Sequence, residues 1–314
     1  MQSILETVLP IFGLILCGYV VGRRGWMSEE AIKGLNTFVF YLAIPALLFR
    51  AMARGPGLIE ISIVGAYMSA ILVTFVLALL VSGLLFRTNL AERALFGMGS
   101  TFSNTVLLGI PLIFTALGDA GGVQLMLIIT FHSIVIFPVI TVLIELGLGA
   151  GQGWRSLAVN TVKALAVNPI ILALVAGIAY GASGLALPGP VDRFAVLLGA
   201  AAAPCALFAL GATLTAFTIA GDLKETLAIV FMKLFIHPAI MAVMAFYVFD
   251  LTPLAAAVAI LTAAIPSGAN VFIMARQYNI YLARSASAVL ISTALAVVTL
   301  SILLAVLKAD LLAV

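Results

Sequence analysis

Ser100-Thr101-Phe102-Ser103-Asn104-Thr105-Val106-Leu107-Leu108-Gly109-Ile110-Pro111 places an asparagine, several hydroxyls, a glycine and a proline inside an apolar stretch, 93–117, that is otherwise long enough to cross a bilayer. Proline removes a backbone donor and clashes with the preceding turn, and glycine lowers the cost of non-helical dihedrals, so this span is expected to unwind locally. Thr262-Ala263-Ala264-Ile265-Pro266-Ser267-Gly268-Ala269-Asn270 sets the same ingredients inside a second stretch, 253–275. In hydrocarbon a broken helix is tolerated only where it lines a cavity or is buried in protein. Its ends offer free N–H groups and the positive pole of a half-helix, which together make an anion site without a buried lysine. Asn104, Thr105, Ser267 and Asn270 add polar contacts to such a site, and Gly109, Pro111, Pro266 and Gly268 shape it. One such span alone reads as a packing kink, since Pro and Gly are ordinary in membrane helices. Two at equivalent places favour a binding site.

The rest of the chain agrees with a membrane setting. Hydrophobic residues make up 64%, charged residues only 9%, and mean hydropathy is +1.29, far from the roughly 25% charge of soluble domains. The sequence predicts an all-α integral membrane protein with ten spans, near 3–22, 35–53, 58–86, 93–117, 122–147, 157–181, 193–219, 226–249, 253–275 and 285–312. The net charge of +3 then sets topology and does not point to nucleic acid. Odd-numbered loops carry Arg23, Arg24, Lys33, Arg87, Arg93, Arg155, Lys163, Lys224, Arg276 and Arg284, whereas even loops and the C-terminus carry Arg50, Arg54, Arg193 and Lys308. This bias predicts a multi-pass protein of the inner (plasma) membrane with odd loops in the cytoplasm and both termini outside. The first span is expected to stay attached, because Arg23 and Arg24 follow it instead of preceding it. Cys17 and Cys205 fall within spans and are expected to pack, not to pair or hold metal.

The same helical plan occurs twice. Pro10 lies 159 positions before Pro169, and the same offset pairs Pro45 with Pro204, Gly18 with Gly177, Gly22 with Gly181 and Phe49 with Phe208. Ile110-Pro111 and Ile265-Pro266 recur at 155, a slip that a different loop length absorbs. The boundary falls in the Gly-rich segment 147–153, so the expected domains are a first repeat over 1–150 and a second over 151–314, with five spans each. Units with an odd number of spans enter the membrane from opposite sides, which makes the repeats inverted, a common scaffold of secondary transporters.

Asn104-Thr105-Val106-Leu107-Leu108-Gly109-Ile110-Pro111-Leu112 resembles the fourth-helix signature of the auxin efflux carrier family, which includes plant carriers and bacterial dicarboxylate permeases. Ala264-Ile265-Pro266-Ser267-Gly268, with Phe272, Ala275-Arg276 and Tyr278-Asn279, is similar to its ninth-helix signature. Ala43-Ile44-Pro45-Ala46-Leu47-Leu48-Phe49 and Val167-Asn168-Pro169 extend the resemblance over the chain. It implies ten helices in two inverted repeats, broken helices 4 and 9 that cross, and the architecture of sodium–proton antiporters and bile-acid symporters. It further implies a scaffold of helices 1, 2, 6 and 7, with Pro45, Asn168 and Pro204 on the scaffold side of the site. Helices 3–5 and 8–10 form the transport bundle, which moves as an elevator. The implied substrate is a small organic anion at the crossover. Ser103 and Ile170 replace residues of the plant pattern, and the long loop between helices 5 and 6 is missing, so malonate or malate fits better than auxin. A homodimer through the scaffold helices is compatible with this plan.

Ionisable residues within spans are functional candidates, and His132, Lys233 and His237 are the ones here. Positions 233 and 237 share a helix face and could attract a carboxylate or exchange a proton. Against this, Lys233 can snorkel to the interface and either histidine can be a satisfied helix residue. Glu6, Glu60 and Glu145 lie near span ends and read as interfacial. Coupling to a proton, to sodium or to neither stays open. No cofactor is expected, and an enzyme is disfavoured because neither a His-Glu-x-x-His motif nor a nucleophile–base pair is readable. A passive pore or membrane-embedded sensor of the same fold is the alternative.

Overall fold

Without water to satisfy them, backbone groups in an apolar chain must pair within their own segment. The computed structural model describes residues 2–55, 60–149 and 167–310, and among these it is helical apart from one isolated bridge. The described helices are α1 (Gln2–Arg23), α2 (Glu29–Ala53), α3 (Ser62–Leu85), α4 (Leu90–Thr101), α5 (Thr105–Leu148), α6 (Pro169–Ala182), α7 (Gly189–Leu214), α8 (Leu223–Val248), α9 (Pro253–Ala264), α10 (Asn270–Tyr278) and α11 (Leu282–Asp310). Polar residues set several starts: Asn89 and Glu92 form a reciprocal capping box, and Asp222, Thr252 and Asn168 each accept a first-turn N–H. Such caps contribute about 1 kcal/mol each.

Six helices, α2, α3, α5, α7, α8 and α11, are long and apolar enough to cross a membrane, against ten spans expected from hydropathy. The difference has physical causes. Breaks divide the fourth and ninth spans and leave α4 and α9 with 12 residues each. The second part of the fourth span and the fifth span are two helical segments that run on within α5, separated at Gly118, whose φ of 67° and ψ of −165° are not helical. Residues 157–166 of the sixth span lie outside the described residues, and α1 is apolar over Val8–Arg23. The Gly-rich boundary near 150 falls largely outside as well.

Three helices widen just ahead of a proline. Turns with i to i+5 spacing cover Val39–Ala43, Thr105–Gly109 and Met232–Ile236, each ending two residues before Pro45, Pro111 and Pro238. A proline ring collides with the carbonyl one turn earlier and offers that carbonyl no donor, so a wider turn upstream accommodates it without breaking the helix.

The chain forms two compact units. The first comprises residues 1–60, 106–126 and 162–216. Within it α1 lies against α7 and α2 against α6 at glycine contacts too close for any side chain. A Cβ on Gly18 would stand 2.0 Å from the Phe208 carbonyl oxygen, and one on Gly177 would stand 2.7 Å from that of Phe49. The offset that pairs Gly18 with Gly177 and Phe49 with Phe208 in sequence therefore also exchanges their contacts. Asp192 on α7 receives both Arg50 of α2 and Arg54 just after it, each at 2.8 Å. Pro45 is half-buried, Pro204 exposed, and Asn168 serves as the α6 cap.

The second unit comprises residues 61–105, 127–161 and 217–314. Its buried face is crowded with small residues, and every residue from Ala255 to Gly268 is buried. Glu225, at the start of α8, is buried, accepts the Tyr281 hydroxyl at 2.6 Å and pairs with Arg284 at 2.8 Å. Three side chains depart from the sequence reading. Lys233 does not snorkel but is fully buried, because an acceptor lies within its reach inside the unit. Glu145 is buried and accepts the Tyr278 hydroxyl at 3.3 Å, and Cys17 is exposed instead of packed.

Candidate functional site

Two helix breaks meet in the second unit. Phe102-Ser103-Asn104 separates α4 from α5, and Ile265-Pro266-Ser267-Gly268-Ala269 separates α9 from α10. The extended residues pair as an antiparallel bridge at Ser103 and Ser267. Asn104 N–H donates to the Pro266 carbonyl at 3.0 Å, and Gly268 N–H donates to the Phe102 carbonyl at 2.9 Å. Each break thus satisfies backbone groups that the other helix leaves free, which a lone unwound span could not do in an apolar interior.

The serines complete the exchange. Ser103 Oγ donates to the Thr262 carbonyl at 2.7 Å in the last turn of α9, and Ser267 Oγ donates to the Gly99 carbonyl at 2.6 Å in the last turn of α4. Lys233, reaching from α8, donates its ammonium to the neighbouring Ala263 carbonyl. Cationic and hydroxyl donors therefore cover the negative poles of α4 and α9. Gly268 is required here by space, since a Cβ would stand 2.9 Å from the Phe102 ring and 3.2 Å from the Ser103 carbonyl oxygen. Gly268→Ala is expected to lower the melting temperature of the purified protein by several degrees, from about 1–3 kcal/mol of overpacking. An unchanged melting curve would show that the bridge yields without cost.

The breaks also leave groups unsatisfied. Asn104 is 6% exposed, and its Nδ2 has no partner among the described residues. An orphan buried donor costs about 1–3 kcal/mol, so it marks a place where a ligand or water belongs. Thr105 is buried beside it at the head of α5, and Asn270 is half-buried at the head of α10. Ser267 is fully buried with its proton committed, which leaves only its lone pairs for further use.

Of the residues singled out from sequence, the second unit gathers Asn104, Thr105, Pro266, Ser267, Gly268 and Asn270 together with His132, Lys233 and His237. Gly109 and Pro111 belong to the first unit, as do Pro45, Asn168 and Pro204. Pro111 does not occupy the break: it lies in the helix seven residues beyond Asn104, after the wide turn, because a wide turn accommodates the ring where unwinding was expected. The pairing of Ile110-Pro111 with Ile265-Pro266 is therefore not the pairing of the breaks, which join Ser103 to Ser267. Tyr67 was not anticipated. Its hydroxyl lies 3.4 Å from Ser103 Oγ, and it is fully buried on α3. Being the one tyrosine within its predicted span was the available signal.

A helical membrane protein whose two broken helices meet at a buried polar centre belongs to the class of polytopic transporters built around discontinuous helices. The chain belongs to the membrane transport protein family, whose model matches residues 3–153 and 153–304, and its relatives include auxin efflux carriers. It is 33% identical over 306 residues to a "Putative malonate transporter" of Rhizobium meliloti, covering 97% of this chain and 96% of the relative. It is 24% identical over 334 residues to "Auxin efflux carrier component 8" of Arabidopsis thaliana, covering 88% and 90%. An "Uncharacterized transporter" of Methanothermobacter thermautotrophicus is 26% identical over 308 residues, covering 94% and 95%.

Proposed function

We propose that the protein is a secondary transporter of small carboxylates, malonate or malate in preference to auxin-like acids, with the anion held where helices 4 and 9 break. The unpartnered Asn104 donor at a break whose carbonyl poles are already covered carries this reading. The donor left without a partner there among the described residues is the Asn104 side-chain amide, beside the first turn of α5 with its positive pole. The name of the relative at 33% identity supports the substrate class.

The repeats 1–150 and 151–314 are inverted on this reading, and the exchanged contacts of Gly18 with Phe208 and Gly177 with Phe49 support a two-fold relation between them. Helices 1, 2, 6 and 7 act as scaffold, and the helices that carry the breaks move as one body in an elevator cycle. The grouping of α3, α4 and α8 to α11 with residues 127–149 in one compact unit supports that division in most of its helices, while residues 106–126, after the break in span 4, group with the scaffold helices. Odd loops lie in the cytoplasm and both termini outside, as the distribution of arginine and lysine implies.

A thermal-shift series on the purified protein tests the substrate class. A ligand that binds only the folded state at 100 times its dissociation constant adds about 2.7 kcal/mol, so malonate or malate is expected to raise the melting temperature by several degrees and acetate, succinamide and sodium chloride to leave it unmoved. A shift with none of the mono- and dicarboxylates would remove the reading.

A further inference from the structure

The second unit buries two histidines and a lysine that form no ion pair among the described residues. Tyr67, His132, Lys233 and His237 are each fully buried. Tyr67 stands between the two imidazoles, edge-on to both, with ring centroids 5.9 Å away in each case. His237 meets Thr74 Oγ1 through Nδ1 at 3.1 Å, and its Nε2 has no partner among the described residues. His132 stacks on Phe102 at 4.5 Å, directly before the bridging Ser103, and neither of its nitrogens has a partner among the described residues.

The groups that touch the histidines are Tyr67 and Thr74 from α3 and Phe102 from the break, and Lys233 lies four residues before His237 on α8. No described carboxylate is hydrogen-bonded to or ion-paired with either histidine. In a low-dielectric interior an imidazole without an acid partner resists taking a positive charge, and a nearby anion relieves that resistance. Proton uptake and anion binding at this place are therefore linked, each raising the other's affinity by the same factor.

We propose that His132 and His237, held on either side of Tyr67, form a proton-loading centre that takes up a proton with the carboxylate, so that the carrier is an anion–proton symporter. The proton comes from water on the side of entry, adds to an imidazole lone pair and returns to water on the side of exit. No bond of the substrate is made or broken. The inference rests on the carboxylate reading above.

The test uses the full chain in phosphatidylethanolamine–phosphatidylglycerol liposomes with a trapped pH dye and labelled malonate. Malonate entry is expected to acidify the lumen, and an acid exterior to raise initial uptake about tenfold over equal pH. In His132→Gln and His237→Gln that ratio is expected to fall to about one, a change that loss of packing alone would not produce because it scales both rates together. Malonate entry without lumen acidification in the wild type overturns the proposal and leaves the carboxylate reading standing. So does an unchanged ratio in both variants. A wild type that carries no carboxylate overturns the reading itself and the proposal with it.

Discussion

Asn104→Ala is expected to cut malonate uptake in proteoliposomes by roughly 10- to 150-fold while leaving the melting temperature in detergent unchanged or slightly raised. The two halves of that result come from one observation. Its Nδ2 makes no hydrogen bond among the described residues, so deleting it removes no internal bond and relieves the cost of an unsatisfied buried donor. A hydrogen bond to a charged ligand group contributes about 1.5–3 kcal/mol, which sets the range for lost transport. A drop in melting temperature with uptake intact would mean that Asn104 supports the fold and the substrate sits elsewhere.

A large loss of stability is expected at Gly18. A Cβ there would stand 2.0 Å from the Phe208 carbonyl oxygen and 3.0 Å from the Ala212 nitrogen, both backbone atoms that cannot swing aside. Gly18→Val must push α1 from α7 and is expected to cost about 3 kcal/mol or more, seen as a melting temperature lowered by many degrees or as failure to purify folded protein. Gly177→Val, at the exchanged contact, is expected to behave alike. Gly13→Val on the same helix as Gly18 meets nothing within 4 Å and serves as the neutral comparison. Equal behaviour of Gly13→Val and Gly18→Val would contradict the close approach.

Much of this was legible because the breaks are written in residue types that act locally. Asn104, Pro266 and Gly268 disfavour helix wherever they stand, so their clustering at mid-span located both discontinuities. Pro111 misled for the same reason: its effect on its own backbone is local, but whether the chain breaks or widens depends on what the freed carbonyl can find. The bridge offers that partner to Phe102 and not to the turn before Pro111. Which serine meets which carbonyl is a matter of two segments far apart in sequence, and no periodicity records it. Lys233 read as interfacial because hydropathy assigns a lysine its average surroundings, whereas the Ala263 carbonyl gives this one a specific acceptor. Tyr67 was passed over because a lone tyrosine in an apolar span is ordinary and only its neighbours make it notable.

The covering of the carbonyl poles bears on which oxygens stay open at the breaks. A sodium ion binds in a membrane protein by exchanging its water for several oxygens, and the open carbonyls at the end of a broken helix are the usual supply. Here the oxygens of Gly99, Thr262 and Ala263 are occupied by the protons of Ser267, Ser103 and Lys233. Each of these oxygens keeps only its second lone pair for any further partner. The serines and the lysine thus turn these three carbonyl oxygens toward the protein's own donors, so that the ends of the two broken helices are closed by side chains of the same unit.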